Sequence, residues 1–207
     1  MLIADDISIQ YGEERVLEHF SCHIHPGDFV CLTGASGCGK TSLLKALIGF
    51  APISAGNITI DQIELNEKTC DLIRKKTSYL PQELSFPNDT VDEFIHQTFR
   101  IGQRRDVQFS PQDLYANLNK LGLDNELLKK RLSEISGGQR QRIMLATLAT
   151  QGKEIWLLDE PTAALDESSR NLVINFLLEQ QQQGTTIVAI SHDPQFASHC
   201  STLIALD

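Results

Sequence analysis

Apolar and polar residues alternate over residues 3–11, with Ile7, Ile9 and Tyr11 on one face, the period-two pattern of a half-buried strand. Residues 16–24 carry a second candidate strand, and Pro26-Gly27-Asp28 supplies turn chemistry after it. The pattern then changes to a continuous apolar run, Phe29-Val30-Cys31-Leu32, as in a parallel strand buried on both faces. Leucines at positions 43, 44 and 47 predict a helix over residues 41–49. Residues 57–60, flanked by Gly56 and Asp61, predict an edge strand.

From about residue 83 to residue 134 the strand patterns stop, which predicts a helical lobe inserted in an α/β chain. Ser110-Pro111-Gln112-Asp113 has the chemistry of a helix start, and Leu114, Leu118 and Leu121 continue it as an apolar stripe that Gly122 can end. The α/β pattern returns with a short buried strand over residues 155–158. A helix over 167–183 follows, with Gly184 at its end, then a β-branched strand over 185–190, a short helix over 194–200 and a strand over 202–206.

Composition adds bounds. The 207 residues suit one domain with a subsidiary lobe, and 41% hydrophobic with 22% charged residues is ordinary globular usage. Eighteen basic against 27 acidic residues, net −9, argue against nucleic acid as a partner. The two basic runs, Arg74-Lys75-Lys76 and Lys129-Lys130-Arg131, are expected to be solvated helix faces. No apolar run reaches the roughly 18 residues of a membrane helix, and the N-terminus lacks signal-peptide character. Five cysteines without finger-like spacing predict reduced thiols and no zinc site.

Two stretches carry chemistry. Gly34-Ala35-Ser36-Gly37-Cys38-Gly39-Lys40-Thr41 fits G-x-x-x-x-G-K-[ST] and stands between a predicted strand and a predicted helix. Glycines let the backbone wrap a phosphate chain with its amides pointing inward, and the helix N-terminus adds positive character. Lys40 is a cation for the terminal phosphates, the Thr41 hydroxyl suits magnesium, and Ser42 reaches a further phosphate oxygen. Cys38 places a thiol at a helix N-terminus, where redox sensitivity is one reading, and the favoured reading is that a small residue is simply tolerated there. The second stretch is Ile155-Trp156-Leu157-Leu158-Asp159-Glu160, an apolar strand ending in two acids. Alternation points the two differently, one to hold magnesium and one to address the attacking water. Ser136-Gly137-Gly138-Gln139, ahead of a helix over 140–148, is a further anion nest by composition. A second cradle suggests a nucleotide clamped between two chains.

Taken together and in order, these stretches resemble the ATP-binding subunit of ABC transporters along essentially the whole chain. Tyr11 matches the aromatic that stacks on adenine, residues 34–42 the Walker A loop, and Gln82 the Q-loop. Ile135 to Gln139 match the signature, Ile155 to Glu160 Walker B, Pro161 to Asp166 the D-loop stretch, and His192 the switch histidine. The resemblance implies a P-loop core with a mainly parallel sheet, an N-terminal antiparallel β subdomain and a helical subdomain at about residues 83–140. It implies ATP hydrolysis with Mg2+, Lys40, Thr41, Gln82 and Asp159 handling phosphates and metal, Glu160 polarising water and His192 meeting the γ-phosphate. Ser136, Gly137, Gly138 and Gln139 would act on ATP held by a second copy, and Asp166 would couple the two sites. Ile135 replaces the usual leucine and Ala163 the usual serine, and the second change removes a hydroxyl at the dimer contact.

The resemblance further implies a homodimer on ATP binding and a transmembrane permease partner docking near residues 81–94, at the cytoplasmic face of the membrane. Only 15 residues follow His192, which leads to the expectation of a compact exporter-type subunit, such as the proposed iron-export ATPase, without a regulatory domain. A soluble mechanical ATPase is the rival reading. The stretch from Gln82 to Ser136 is too short for the long coiled coil of such relatives. A module that binds without turnover is a second rival, opposed by Glu160 and His192.

Overall fold

The computed structural model describes residues 1–83, 89–102 and 109–206. Two sheets form its frame. Strands β1 (Leu2–Tyr11), β2 (Glu14–Ile24), β4 (Ala55–Ile60) and β5 (Ile63–Glu64) make an antiparallel sheet in the order β2-β1-β4-β5. Strands β3 (Phe29–Gly34), β6 (Thr77–Leu80), β7 (Ile155–Asp159), β8 (Thr186–Ile190) and β9 (Thr202–Leu206) make a sheet ordered β6-β7-β8-β3-β9, with every pairing parallel.

The parallel sheet is apolar on both faces, as its unbroken hydrophobic runs require. Phe29, Cys31, Trp156, Leu158, Ile187 and Ala189 face one core. That core is closed by α3 (Val91–Gly102), α4 (Pro111–Lys120), α5 (Gly137–Gln151), α6 (Glu167–Gln182) and α7 (Pro194–Ser198). Val30, Leu32, Ile155, Leu157, Val188 and Ile190 face the second core, shared with α1 (Lys40–Leu47), α2 (Cys70–Lys76) and the antiparallel sheet. Among the described residues no strand lies between β6 and β7, as the sequence pattern predicts. Ser110 caps α4 by accepting from the Asp113 amide at 3.2 Å, and Leu114, Leu118 and Leu121 are buried. Gly122, at φ +67°, follows the end of that helix.

Four expectations change. Residues 57–60 are not an edge: β4 lies between β1 and β5, because a two-residue strand after the Asp61-Gln62 turn covers its outer side. Tyr11 does not share the buried face of Ile7 and Ile9. It is the last residue of β1 and is 43% exposed. The helix expected from residue 140 begins at Gly137, so the two signature glycines are its first residues. The basic run in α2 is also less solvated than its composition suggests. Arg74 donates to the carbonyls of Ile48 and Gly49 at 3.0 and 2.9 Å, and Lys76 pairs with Asp61 at 2.6 Å.

Candidate functional site

The loop from β3 to α1 is fixed by its backbone. Gly34 ends β3 at φ +142°, and a Cβ there would collide with the Leu206 carbonyl oxygen. Gly39 caps α1 in a left-handed conformation and supplies no side-chain bond. The amides of the first helical turn have no intrahelical partner and carry the positive end of the helix dipole. Lys40, only 7% exposed, bends back so that Nζ donates to the carbonyls of Gly34 at 2.9 Å and Ala35 at 2.7 Å. Its Nζ is also 3.6 Å from the Cys38 Sγ.

The end of β7 brings the acids to this loop. The Thr41 hydroxyl donates to Asp159 Oδ2 at 2.8 Å. Asp159 is 2% exposed, and burial raises its carboxyl above the ordinary range, opposed by the Thr41 bond and the charges of Lys45 and Lys40. Glu160 follows in the left-handed region at φ +52°, which costs a non-glycine residue about 1–2 kcal/mol. This turn, rather than strand alternation alone, separates the two acids. The Glu160 carboxylate reaches toward His192, with Oε1 3.6 Å from Nε2. Burial raises the Glu160 carboxyl, His192 opposes the rise, and Asp159 adds to it.

Lys40, Thr41, Ser42, Gln82, Asp159, Glu160 and His192 line one cleft of about 340 Å³, with Ser36, Gly37 and Gly39 on its loop side. The remaining sequence candidates lie elsewhere. Tyr11 is at the end of β1, exposed, and is not among the cleft-lining residues. Ser136 and Gln139 bond each other's backbone: the Ser136 hydroxyl accepts from the Gln139 amide at 3.2 Å, and Gln139 Oε1 accepts from the Ser136 amide at 3.0 Å. Gly137 and Gly138 follow in the first turn of α5. Asp166 caps α6 by accepting from the Ser169 amide at 2.8 Å, and the bonds from Ser169 hold its carboxyl below the usual range. Ala163 and Ala164 are exposed between the two helix starts.

Two cleft residues were missed by sequence reading, Val16 and Ile190, which supply apolar wall from β2 and β8. A third residue, Gln141, holds the backbone at the end of β7: its Nε2 donates to the Glu160 carbonyl at 2.7 Å. Nothing in the sequence marks it, since its partner is a backbone carbonyl and Thr147 and Thr150 are also buried on α5. Among the described residues no group of three or more His, Cys, Asp or Glu could hold a metal ion, so His23 and His25 are not part of such a cluster.

Comparisons with known proteins agree with this geometry. The family model "ABC transporter" matches residues 17–163. The chain is similar to the phosphonates import ATP-binding protein PhnC of Trichormus variabilis, 36% identical over 93% of this chain and 82% of the relative. It is also similar to the macrolide export ATP-binding/permease protein MacB of Campylobacter jejuni, 32% identical over 100% of this chain but 33% of that longer protein. Among solved structures, the dimeric bacterial ABC transporter cassette MJ0796 superposes with a TM-score of 0.89 at 25% identity, covering 100% of this chain and 94% of that one. A lysine-bearing phosphate loop facing two acids across one cleft, on this fold, is the arrangement of an ATP-hydrolysing cassette, and the chain belongs to the ABC transporter family as an ATP-binding subunit.

Proposed function

We propose that two copies of this chain close head to tail on two Mg-ATP molecules and that closure and reopening drive separate membrane-spanning subunits. The observation that carries this reading is the division of the site. One cleft gathers Lys40, Thr41, Gln82, Asp159, Glu160 and His192, whereas Ser136–Gln139 presents a second helix N-terminus outside it. A partner's signature helix would meet the γ-phosphate from the open side.

In this reading Lys40 leaves its carbonyl contacts for the β- and γ-phosphates. The Thr41 hydroxyl and Asp159 carboxylate, hard oxygen donors 2.8 Å apart with Gln82 beside them, suit Mg2+, which would offset phosphate charge. Glu160 accepts a hydrogen bond from water and aims it at the γ-phosphorus. The water oxygen bonds to phosphorus as the bond to the β–γ bridging oxygen breaks, the water's proton passes by way of Glu160 to the released phosphate, and the charge of the broken bond stays on the departing ADP. His192 holds the γ-phosphate in line, Tyr11 stacks on adenine, and Asp166 with the exposed Ala163-Ala164 stretch meets the second copy. The chemistry is chiefly positioning and charge stabilisation.

The helical region at about residues 83–140 is proposed as the lobe that docks the permease, near residues 81–94, of which 84–88 lie outside the described residues. Among the described residues no helix is long and apolar enough to cross a membrane. We place the chain at the cytoplasmic face, where ATP is supplied, bound to a transmembrane permease and not to nucleic acid. The direction proposed is export, supported by the likeness to MacB over the whole chain. Uptake is the alternative that the likeness to PhnC favours. The test is recovery of the Glu160→Gln chain from detergent-solubilised native membranes with ATP. Co-purification of a multi-span protein is expected, and its reconstitution in vesicles reads the direction. Recovery of soluble proteins or nucleic acid alone would overturn the transporter reading.

A further inference from the structure

The catalytic segment is tied at both of its peptide groups. The Glu160 amide donates to the Ile190 carbonyl at 3.1 Å, which anchors it to the end of β8. Its carbonyl accepts from Gln141 Nε2 at 2.7 Å, which anchors it to α5. Between these two bonds the residue holds φ at +52°, a conformation that glutamate adopts only when its surroundings impose it. Gln141 is itself 5% exposed, and among the described residues its Oε1 has no hydrogen-bond partner. The side chain therefore sits in an unfavourable place for an amide and makes one bond there, the bond to Glu160. It lies one turn from Gly137 on α5. The two also line, with Gln82, Arg140, Glu160, Ala163 and Ala164, a pocket of about 140 Å³ that shares Gln82 and Glu160 with the cleft.

From this geometry we infer that Gln141 is a positioning residue: its bond to the Glu160 carbonyl sets the left-handed turn that aims the Glu160 carboxylate into the cleft, and it makes the aim depend on where the start of α5 sits. This inference rests on the reading that Glu160 activates the attacking water. A helix start that moves when it meets a second copy's nucleotide would then move the carboxylate in its own cleft. Among the described residues, the hydrogen bond of the Gln141 side chain to a cleft residue is the one to that carbonyl, so its loss should act on turnover and not on ATP binding.

The test uses the full chain with Gln141→Met, which keeps length and volume but removes the donor, and Gln141→Leu as a second apolar variant should Met fail to fold. Glu160→Gln is measured beside them. The expected result is a fall in kcat of roughly 10- to 100-fold, the scale of a misplaced catalytic group. KM for ATP should stay within about twofold, because the binding groups are untouched. In a Glu160→Gln background, adding Gln141→Met should leave ATP binding unchanged. An unaltered kcat in a folded Gln141 variant, or a loss that appears in KM or in ATP binding, would overturn the inference and leave Glu160's role standing. Normal hydrolysis by Glu160→Gln would overturn the underlying reading, and the inference with it.

Discussion

The N-terminus of α1 and the N-terminus of α5 are the same device, a helix start that can face an anion, in two different states. At α1 the cap is Gly39, which offers no side-chain bond, and the first turn opens on a cleft furnished from β6, β7 and β8 of the same chain. At α5 the cap is Ser136, locked with Gln139 in a reciprocal pair, and the helix start lies beside exposed Ala163 and Ala164 rather than in the cleft. The N-cap bond takes the Gln139 amide and leaves those of Gly137 and Gly138 outside the helix's own ladder. The first half is assembled in one chain. The second is capped within itself, and in the proposed reading its remaining amides serve a nucleotide held by a second copy.

The sharpest break between the halves is chemical. Glu160→Gln should reduce hydrolysis by about 1000-fold while ATP binding persists, since a positioned base contributes on that scale. Steady-state turnover and equilibrium nucleotide binding read the two effects apart. Next is Lys40→Ala, expected to weaken ATP binding by roughly 10- to 100-fold through loss of charged hydrogen bonds, with calorimetry as the check. An equal effect from Ser136→Ala on ATP binding by the isolated chain would erase the distinction between the halves.

Ser136→Ala has its own expected signature, a loss of about 1 kcal/mol of stability from the missing cap, read in denaturant unfolding. The smallest effect sharpens the description of the cleft. Burial raises the Glu160 carboxyl, so the folded chain binds that proton more readily than the unfolded one. The group's contribution to stability is therefore greatest below the ordinary glutamate range and declines as pH rises through the raised folded value. Glu160→Gln removes that decline. It should melt above the parent at neutral pH, with the gap closing in acid. A gap that widens in acid would contradict the direction of the shift.

Much of this was legible in the residues, and unevenly so. Phe29-Val30-Cys31-Leu32 and Ile155-Trp156-Leu157-Leu158 are apolar without interruption, and only a strand covered on both faces asks for that. The phosphate loop was legible because its glycines are demanded by backbone geometry, as the collision at Gly34 makes plain. Tyr11 continues the period-two pattern yet is exposed, because it is the last residue of β1 and a period-two count does not mark where cover over a strand ends. The status of β4 depended on whether a two-residue strand would fold back on it, which propensity does not decide. Gln141 was invisible for a similar reason: its partner is a backbone carbonyl 19 positions away, so no pairing of side-chain types announces it. Local chemistry is written in the sequence, whereas contacts made through backbone atoms at a distance are not.

The claim at the centre of the account is that the two helix starts belong to one site completed between copies. Sedimentation velocity on the Glu160→Gln chain, with and without Mg-ATP, tests it most directly. The account predicts a monomer without nucleotide and a dimer with Mg-ATP, and a return to monomer when a bulky acid replaces a signature glycine, as in Gly137→Glu. A chain that binds ATP and stays monomeric, or a dimer indifferent to Gly137→Glu, would contradict it.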